Sequence, residues 1–129
     1  MKKIYIHGKL CVGPTFSQTE LLLIKRNLAQ QKALHALADM LSAVGNPQRL
    51  NILYLLHSHR EMCVCDLAEV LEITDSAVSQ HLRRLKDKRL VTARRKGQTI
   101  FYSLVERSLT KTLSEMFTAR ETTEPILLQ

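Results

Sequence analysis

The sequence predicts a mainly α-helical fold with one β-hairpin, in the order of a winged helix-turn-helix. Apolar residues recur at helical spacing in several segments between residues 17 and 88. Two of these segments are short and are joined by only about three residues, as in a helix-turn-helix. Beyond them, two stretches rich in β-forming residues flank Lys96-Gly97 and predict a hairpin.

The N-terminal part divides into an arm and a helix. Residues 1–16 contain two glycines and a proline, and we expect them to form an irregular arm. A first helix, capped by Ser17 or Thr19, is predicted to run to about Val44, where Gly45 would end it.

Three further helices form the centre of the predicted domain. A second helix starts at Asn46-Pro47, because Asn is a good N-cap and Pro is tolerated at the first helical position, and it runs to about His57. A short third helix is predicted from about Val64 to Leu71, and a fourth from about Ser76 to Lys88.

The C-terminal part follows the pattern of a hairpin and a last helix. Residues 91–95 and 99–104 are the predicted hairpin arms. A last helix is predicted from about residue 107 to 119. The chain is therefore expected to consist of the arm, one domain over residues 17–120 and a flexible tail over residues 121–129.

Positive charge is concentrated in one part of the chain. The 129 residues carry a formal net charge of +7. Between Asp75 and Gln98, eight basic residues stand against two acidic ones, so this stretch alone carries +6. Such a balance suits a polyanionic partner such as nucleic acid or an acidic membrane. The basic residues are Arg83, Arg84, Lys86, Lys88, Arg89, Arg94, Arg95 and Lys96.

A helical wheel divides the fourth predicted helix into two faces. Val78, Leu82 and Leu85 fall on one side and are expected to pack inward. The opposite side offers hydroxyl, amide and guanidinium groups, which read base edges in the major groove of DNA. The predicted base contacts are Ser76, Ser79, Gln80 and Arg83, with further DNA contacts from Arg84, Lys86, Lys88 and Arg89.

The tip of the predicted hairpin combines positive charge with a turn. We expect this wing to grip the neighbouring DNA backbone or minor groove. Its predicted DNA contacts are Arg94, Arg95, Lys96 and Gln98.

Other functional classes are disfavoured. No apolar run is long enough to cross a bilayer and the N-terminus lacks a signal-peptide core, so we expect a cytoplasmic protein without a membrane partner. A thiol oxidoreductase is disfavoured because the chain has no Cys-x-x-Cys and no alternation of strands and helices. We therefore expect neither enzymatic activity nor an organic cofactor. A winged helix that binds protein instead of DNA is left as an alternative.

Cys11, Cys63 and Cys65 are the candidate metal ligands. Cytoplasmic thiols are normally reduced, so metal binding or redox chemistry is favoured over a structural disulfide. The Cys63-Val-Cys65 pair offers two soft thiolates for a thiophilic ion. In a regular helix the two side chains would point about 200° apart, so one ion binds both only if that helix end is distorted. His57 and His59 leave open a mixed Cys/His zinc site.

Four motifs follow one another between about Ala36 and Leu104. They are Asn46-Pro-Gln-Arg-Leu-Asn-Ile-Leu, Cys63-Val-Cys-Asp-Leu-Ala-Glu-Val-Leu, Ser76-Ala-Val-Ser-Gln-His-Leu-Arg-Arg-Leu, and Arg95-Lys-Gly-Gln with Phe101-Tyr-Ser-Leu. In this order and spacing the chain resembles the ArsR/SmtB family of metal-responsive bacterial repressors. The resemblance implies a homodimer built on the first and last helices. It also implies that the metal-free dimer binds double-stranded operator DNA and that the effector releases it.

The resemblance also implies a set of ligands. The family's arsenic, cadmium and lead sensors use the Cys-Val-Cys-Asp-Leu stretch, and in the cadmium/lead branch the N-terminal arm adds thiolates from the other subunit. Cys63, Cys65 and an arm Cys11 would then bind As(III) or Sb(III), or Cd(II) or Pb(II). The family's zinc site in the last helix is not expected, because that helix has no His. Switching by thiol oxidation or persulfidation is the alternative to switching by metal.

Overall fold

The computed structural model describes residues 1–123, with side chains described as far as residue 119. Eleven elements follow one another in this part of the chain. They are β1 (Lys2–Ile6), β2 (Lys9–Gly13), α1 (Gln18–Ala29), α2 (Lys32–Val44), α3 (Pro47–His59), β3 (Glu61–Cys63), α4 (Val64–Leu71), α5 (Asp75–Asp87), β4 (Val91–Lys96), β5 (Thr99–Leu104) and α6 (Ser108–Thr123). The chain forms two compact units, Met1–Ala38 and Asp39–Gln129.

The N-terminal arm is a β-hairpin, so the prediction of an irregular segment is wrong. β1 and β2 pair antiparallel, with Ile4 opposite Cys11. The two residues of the turn, His7 and Gly8, have φ angles of 51° and 78°. Positive φ at both central residues is typical of the turns that match the twist of a hairpin. The missed signal is the pair of short runs of β-forming residues, Ile4-Tyr-Ile and Leu10-Cys-Val, on either side of the turn.

The predicted first helix is two helices, α1 and α2, so its continuity was predicted wrongly. Its start is confirmed: the Ser17 hydroxyl accepts a hydrogen bond from the Glu20 amide (3.2 Å), and the Glu20 carboxylate accepts one from the Ser17 amide (2.8 Å). The break follows a shift in the apolar stripe. If α1 continued with the same spacing beyond Leu28, polar residues would fall on its apolar side. The next apolar residues that follow helical spacing are Leu34 and Leu37.

The second unit is built around a core of aliphatic side chains. The predicted cap of α3 is confirmed, since the Asn46 side chain accepts hydrogen bonds from the amides of Gln48 (3.0 Å) and Arg49 (3.1 Å). α6 joins the core through Phe117, whose ring meets Tyr54 edge-on with centroids 5.4 Å apart. The fully buried core side chains are Ile52, Leu53, Leu56, Leu67, Val78, Leu82, Leu85, Leu90 and Val91.

The predicted hairpin belongs to a three-stranded antiparallel sheet of order β3-β5-β4. β3 has only three residues and was not predicted from the sequence. Cys63 lies opposite Phe101, and Phe101 lies opposite Arg94 in β4. Because side chains alternate along a strand, these three residues share the face of the sheet that is turned away from the core residue Val91.

α6 begins close to the predicted residue and runs further than predicted. The Thr110 hydroxyl accepts a hydrogen bond from the Arg107 amide (3.0 Å) at its start. The helix includes residues 121–123 of the predicted tail, and residues 124–129 lie outside the described residues. None of the described helices has both the length and the apolar character needed to cross a membrane.

Candidate nucleic-acid interface and thiol site

α4 and α5 form the predicted helix-turn-helix. Glu72 ends α4 in the left-handed conformation, with φ 56°, and the Ile73 amide donates to the Ala68 carbonyl (3.3 Å). The Thr74 hydroxyl caps α5 by accepting from the Ala77 amide (3.1 Å). Two caps separated by so short a turn fix the angle at which α5 leaves the domain.

The two faces of α5 are confirmed. Val78, Leu82 and Leu85 are 0%, 1% and 0% exposed and anchor α5 in the core. The six α5 residues predicted to contact DNA are all exposed: Ser76, Ser79, Gln80, Arg83, Arg84 and Lys86. Short polar side chains at the start of a helix and cations towards its end suit a recognition helix in the major groove, with bases contacted first and phosphates flanking them.

The tip of the hairpin between β4 and β5 carries exposed cations. Gly97 has a φ of 64°, which only glycine adopts without strain. The Arg95 guanidinium donates to the Gly97 carbonyl (3.1 Å) and so closes the turn. Arg95, Lys96 and Gln98 are exposed, as a wing requires.

Arg94 differs from the other predicted wing contacts. Its Nη2 lies 2.6 Å from Oε1 of Glu61, and its Nε donates to Oε2 of Glu61 at 3.4 Å. The guanidinium also lies 5.6 Å from the centroid of the Phe101 ring. This hydrogen bond from Arg94 is the main reason why the pKa of Glu61 is lowered. Arg94 is therefore engaged within the sheet.

Cys63 and Cys65 meet where β3 passes into α4. Cys63 is the last residue of β3 and the N-cap of α4, with φ −88° and ψ 169°. Its amide donates to the Asp66 carboxylate (3.3 Å). Because Cys63 lies outside the helix, the opposed directions expected within a regular helix do not apply. The two cysteines are close enough for Cys63 to influence the pKa of the Cys65 thiol.

The surroundings of Cys65 are acidic. The pKa of this exposed thiol is raised above its ordinary value, first by the negative charge of Asp75 and then by the neighbouring Cys63. Asp66 adds to the effect. The same negative charges that disfavour a lone thiolate attract a cation, and a bound cation favours the thiolate form.

The other predicted ligands lie elsewhere. Cys11 is an exposed residue of β2 in the first unit. His57 contacts the Phe117 ring, with centroids 5.7 Å apart, and His59 is exposed at the end of α3. Within residues 1–123 of one chain, no three His, Cys, Asp or Glu side chains gather closely enough to hold a metal ion. The mixed Cys/His zinc site therefore receives no support, and a thiolate site needs a ligand beyond the Cys63–Cys65 pair.

Sequence reasoning missed a contact behind α5. The Arg49 guanidinium donates to the Ala43 carbonyl (2.6 Å) at the end of α2, and its Nη1 lies 3.4 Å from Nδ1 of His81 in α5. Burial lowers the pKa of His81, and the positive charge of Arg49 lowers it further. The wheel placed His81 near the edge of the buried side, but nothing local in the sequence named its partner.

Comparison with known proteins identifies the family. The model of a family described as the bacterial regulatory protein, arsR family, matches residues 46–93. The transcriptional repressor SmtB homolog of Synechocystis sp. is 34% identical over 97 residues, which cover 75% of this chain and 73% of the homolog. The cadmium resistance transcriptional regulatory protein CadC homolog of Staphylococcus aureus is 31% identical over 93 residues, which cover 72% and 76%.

A solved structure agrees with the sequence matches. Reduced HlyU from Vibrio cholerae superposes with a TM-score of 0.60 at 31% identity, over 75% of this chain and 97% of that chain. The family model covers α3, the helix-turn-helix and the first half of β4, and the relatives match a longer part of the chain. The chain belongs to the ArsR/SmtB family of winged-helix bacterial regulatory proteins, which are DNA-binding regulators and not enzymes, as its motifs predicted.

Proposed function

We propose that this protein is a transcriptional repressor that binds operator DNA as a homodimer and leaves it when a thiophilic ion binds the thiolates of Cys63 and Cys65. The observation that carries the proposal is the position of this thiol pair. It lies at the start of α4, the helix that precedes and packs against the DNA-facing α5. The proposal places the protein in the cytoplasm, together with its DNA.

DNA binding is supported by exposure and charge together. The stretch from Asp75 to Gln98 carries nearly all of the net charge, and most of its cations are exposed on α5 and at the wing, whereas Lys88 is half-buried and lies 3.9 Å from Asp39. Contacts from these cations to phosphates release counterions, so affinity should fall steeply with salt.

A homodimer is supported by apolar side chains that the chain leaves exposed. α1 has no buried residue, and in α2 only Ala43 and Val44 are buried, with Met40 packed partly buried against the core. Several leucines and an isoleucine on these two helices are 45% to 64% exposed. Apolar surface of this extent favours a covering partner. The residues are Leu22, Leu23, Ile24, Leu28, Leu34, Leu37 and Leu41.

The proposed ion is bound by thiolates from both subunits. Cys63 and Cys65 supply two, and Cys11 of the partner subunit supplies the third. Three thiolates suit a trigonal As(III) or Sb(III), and they also suit Cd(II) or Pb(II) when a weaker ligand completes the shell. The carboxylates near Cys65 favour a divalent cation, in line with the name of the cadmium resistance relative.

The proposed switch acts through the junction of β3 and α4. A ligand that draws Cys63 and Cys65 into its own geometry displaces the cap and first turn of α4. Because α4 packs against α5, that displacement changes the angle at which the recognition helix meets the groove. The metal-bound protein then binds DNA less tightly. For this coupling, the ion must bind the DNA-free protein more tightly than the DNA-bound protein.

Titration of the protein–DNA complex tests this function. As(III), Sb(III), Cd(II), Pb(II) and Zn(II) are added separately to a labelled duplex, and release is followed by fluorescence anisotropy. Thiolate-to-metal absorbance gives the number of thiolates per ion. Wild type should release DNA with at least one thiophilic ion. If none of the ions weakens DNA binding, metal sensing is refuted.

Matched cysteine variants locate the ligands. Cys63→Ser should bind DNA as tightly as wild type but no longer respond to the ion. Cys11→Ser should lose one thiolate per site if the arm takes part. A Cys63→Ser variant that no longer binds DNA without any ion would instead indicate a purely structural cysteine.

Thiol oxidation is the second candidate function. It is favoured by the exposure of Cys65 and Cys11 and by the proximity of Cys63 to Cys65 along the chain. A two-electron oxidant such as a peroxide would take two electrons from an α4 thiol and Cys11, which lose their protons and join as a disulfide. Alternatively, a polysulfide would transfer a sulfane sulfur to an α4 thiolate, which gives a persulfide and leaves the polysulfide one sulfur shorter. In this case a mild oxidant releases the DNA, a thiol reductant restores binding, and the metal ions have no effect.

A further inference from the structure

The ion pair between Glu61 and Arg94 links the two outer strands of the sheet. The shorter contact is 2.6 Å, the second is 3.4 Å, and the two side chains present both oxygens and two guanidinium nitrogens to each other. Paired contacts of this kind fix orientation as well as distance. The guanidinium is further held over the Phe101 ring.

The register explains what the pair does for the wing. In the order β3-β5-β4, the outer strands share no backbone hydrogen bonds and are separated by β5. Glu61 pairs with Ser103 and Arg94 with Phe101, so the ion pair crosses β5 diagonally. β4 is an edge strand, and its far end carries the wing tip with Arg95 and Lys96. The pair therefore ties the base of the wing to a strand that is anchored next to α4.

The charge of Arg94 is already balanced. A guanidinium paired with a carboxylate can neutralise a phosphate only if it gives up that carboxylate. Otherwise the pair brings the negative charge of the carboxylate to the DNA as well. For Arg95 and Lys96, no carboxylate lies within ion-pair distance among the described residues, although the charge of Lys96 acts on Glu61 from further away. The cations of one hairpin thus fall into two kinds, with different expected roles.

We infer that Arg94, together with Glu61, is a positioning residue that orients the wing for DNA, and that it is not a phosphate contact. The inference refines the predicted contact set and rests on the proposed DNA binding. Phosphate contacts at the wing are left to Arg95 and Lys96.

Salt dependence separates the two roles. Arg94→Gln, Glu61→Gln and the double variant are compared with Lys96→Gln as the phosphate-contact control, on one duplex between about 50 and 200 mM salt. Lys96→Gln should lower the slope of log affinity against log salt by about 0.9 per lost contact. Arg94→Gln and Glu61→Gln should keep the wild-type slope and each weaken binding about twofold to fivefold, the effect of losing one exposed ion pair.

The two single variants change net charge in opposite directions. A shared loss of affinity therefore cannot come from overall charge, and the double variant should be no weaker than either single one. If Arg94 were a phosphate contact, Glu61→Gln would free it and tighten binding, and Arg94→Gln would lower the slope as Lys96→Gln does. Either result overturns the inference.

Amide hydrogen exchange gives a readout that does not depend on DNA. Exchange in β4 and β5 should accelerate in both single variants, while α5 remains protected. Unchanged exchange in the wing would refute the positioning role even if DNA binding is confirmed. Failure of the wild-type protein to bind any duplex would instead refute the proposed function.

Discussion

Replacing Gln80 with alanine tests most directly whether α5 reads bases. Gln80 is exposed in the second turn of α5, between Ser76 and Arg83 on the same face. Its carboxamide can donate one hydrogen bond and accept another, which matches the N6 and N7 edge of adenine. The Gln80→Ala change removes both groups and leaves the charge of the protein unaltered.

The expected loss follows from the number of contacts. One bidentate base contact contributes about 1–3 kcal/mol of discrimination. The proposed dimer presents Gln80 twice, so the loss amounts to about 2–6 kcal/mol, or roughly 30-fold to 10⁴-fold in Kd. Because Gln80 is exposed and alanine is the better helix former, the free energy of unfolding should change by less than about 0.5 kcal/mol.

The assay compares two duplexes. One is selected from a random pool by the wild-type protein, and the other has the same composition in scrambled order. Gln80→Ala should weaken binding to the selected duplex only, with an unchanged salt slope. Arg84→Gln is the control, and it should weaken binding to both duplexes and lower the slope. An equal loss of affinity for both duplexes in Gln80→Ala would refute base reading at this position.

Three further predictions concern stability. The lowered pKa of His81 keeps it neutral in the folded protein while the unfolded chain protonates near its ordinary value of 6.5, so stability should fall as pH drops below about 6.5. In urea unfolding, His81→Gln should remove this pH dependence, and pH profiles that stay parallel to wild type would contradict the lowered pKa of His81, which burial causes first and Arg49 second. Asn46→Ala should lower the free energy of unfolding by about 1 kcal/mol because it removes the cap of α3. Asn46→Asp should retain the cap and the stability, and thermal melts of both variants test this. Leu82→Ala should lower the free energy of unfolding by about 2–5 kcal/mol because it opens a cavity beside α5. A smaller loss, measured from the urea midpoint, would mean that the surrounding core closes the cavity.

The central part of the fold could be predicted because each of its elements carries a local signal. Asn46-Pro47 marks the start of α3 within the sequence itself, and the spacing of Val78, Leu82 and Leu85 fixes the buried side of α5. The start of α3 and the buried side of α5 each depend only on residues that are close together in the sequence. The order and spacing of the motifs along the chain are likewise sufficient to indicate the family.

What could not be predicted depends on contacts between distant residues. β3 has three residues and forms only because β5, which follows much later, offers a partner strand. The pairing of Arg94 with Glu61 needs the same sheet, so the sequence grouped Arg94 with the other wing cations. The N-terminal hairpin is a different case, since its two runs of β-forming residues and its His7-Gly8 turn are local, and the prediction gave more weight to its glycines and proline.

The same non-local strand changes how the thiol pair is understood. From the sequence, Cys63 was expected just before a predicted helix and Cys65 in its first turn, and ligation of both thiols required that helix end to be distorted. With β3 in place, Cys63 ends a strand and caps α4, so its backbone is extended before any ion arrives. In the proposed repressor, an ion therefore need not unwind α4 to reach both thiols. It would act by shifting the strand–helix junction, and the packing of α4 against α5 would carry that shift to the DNA.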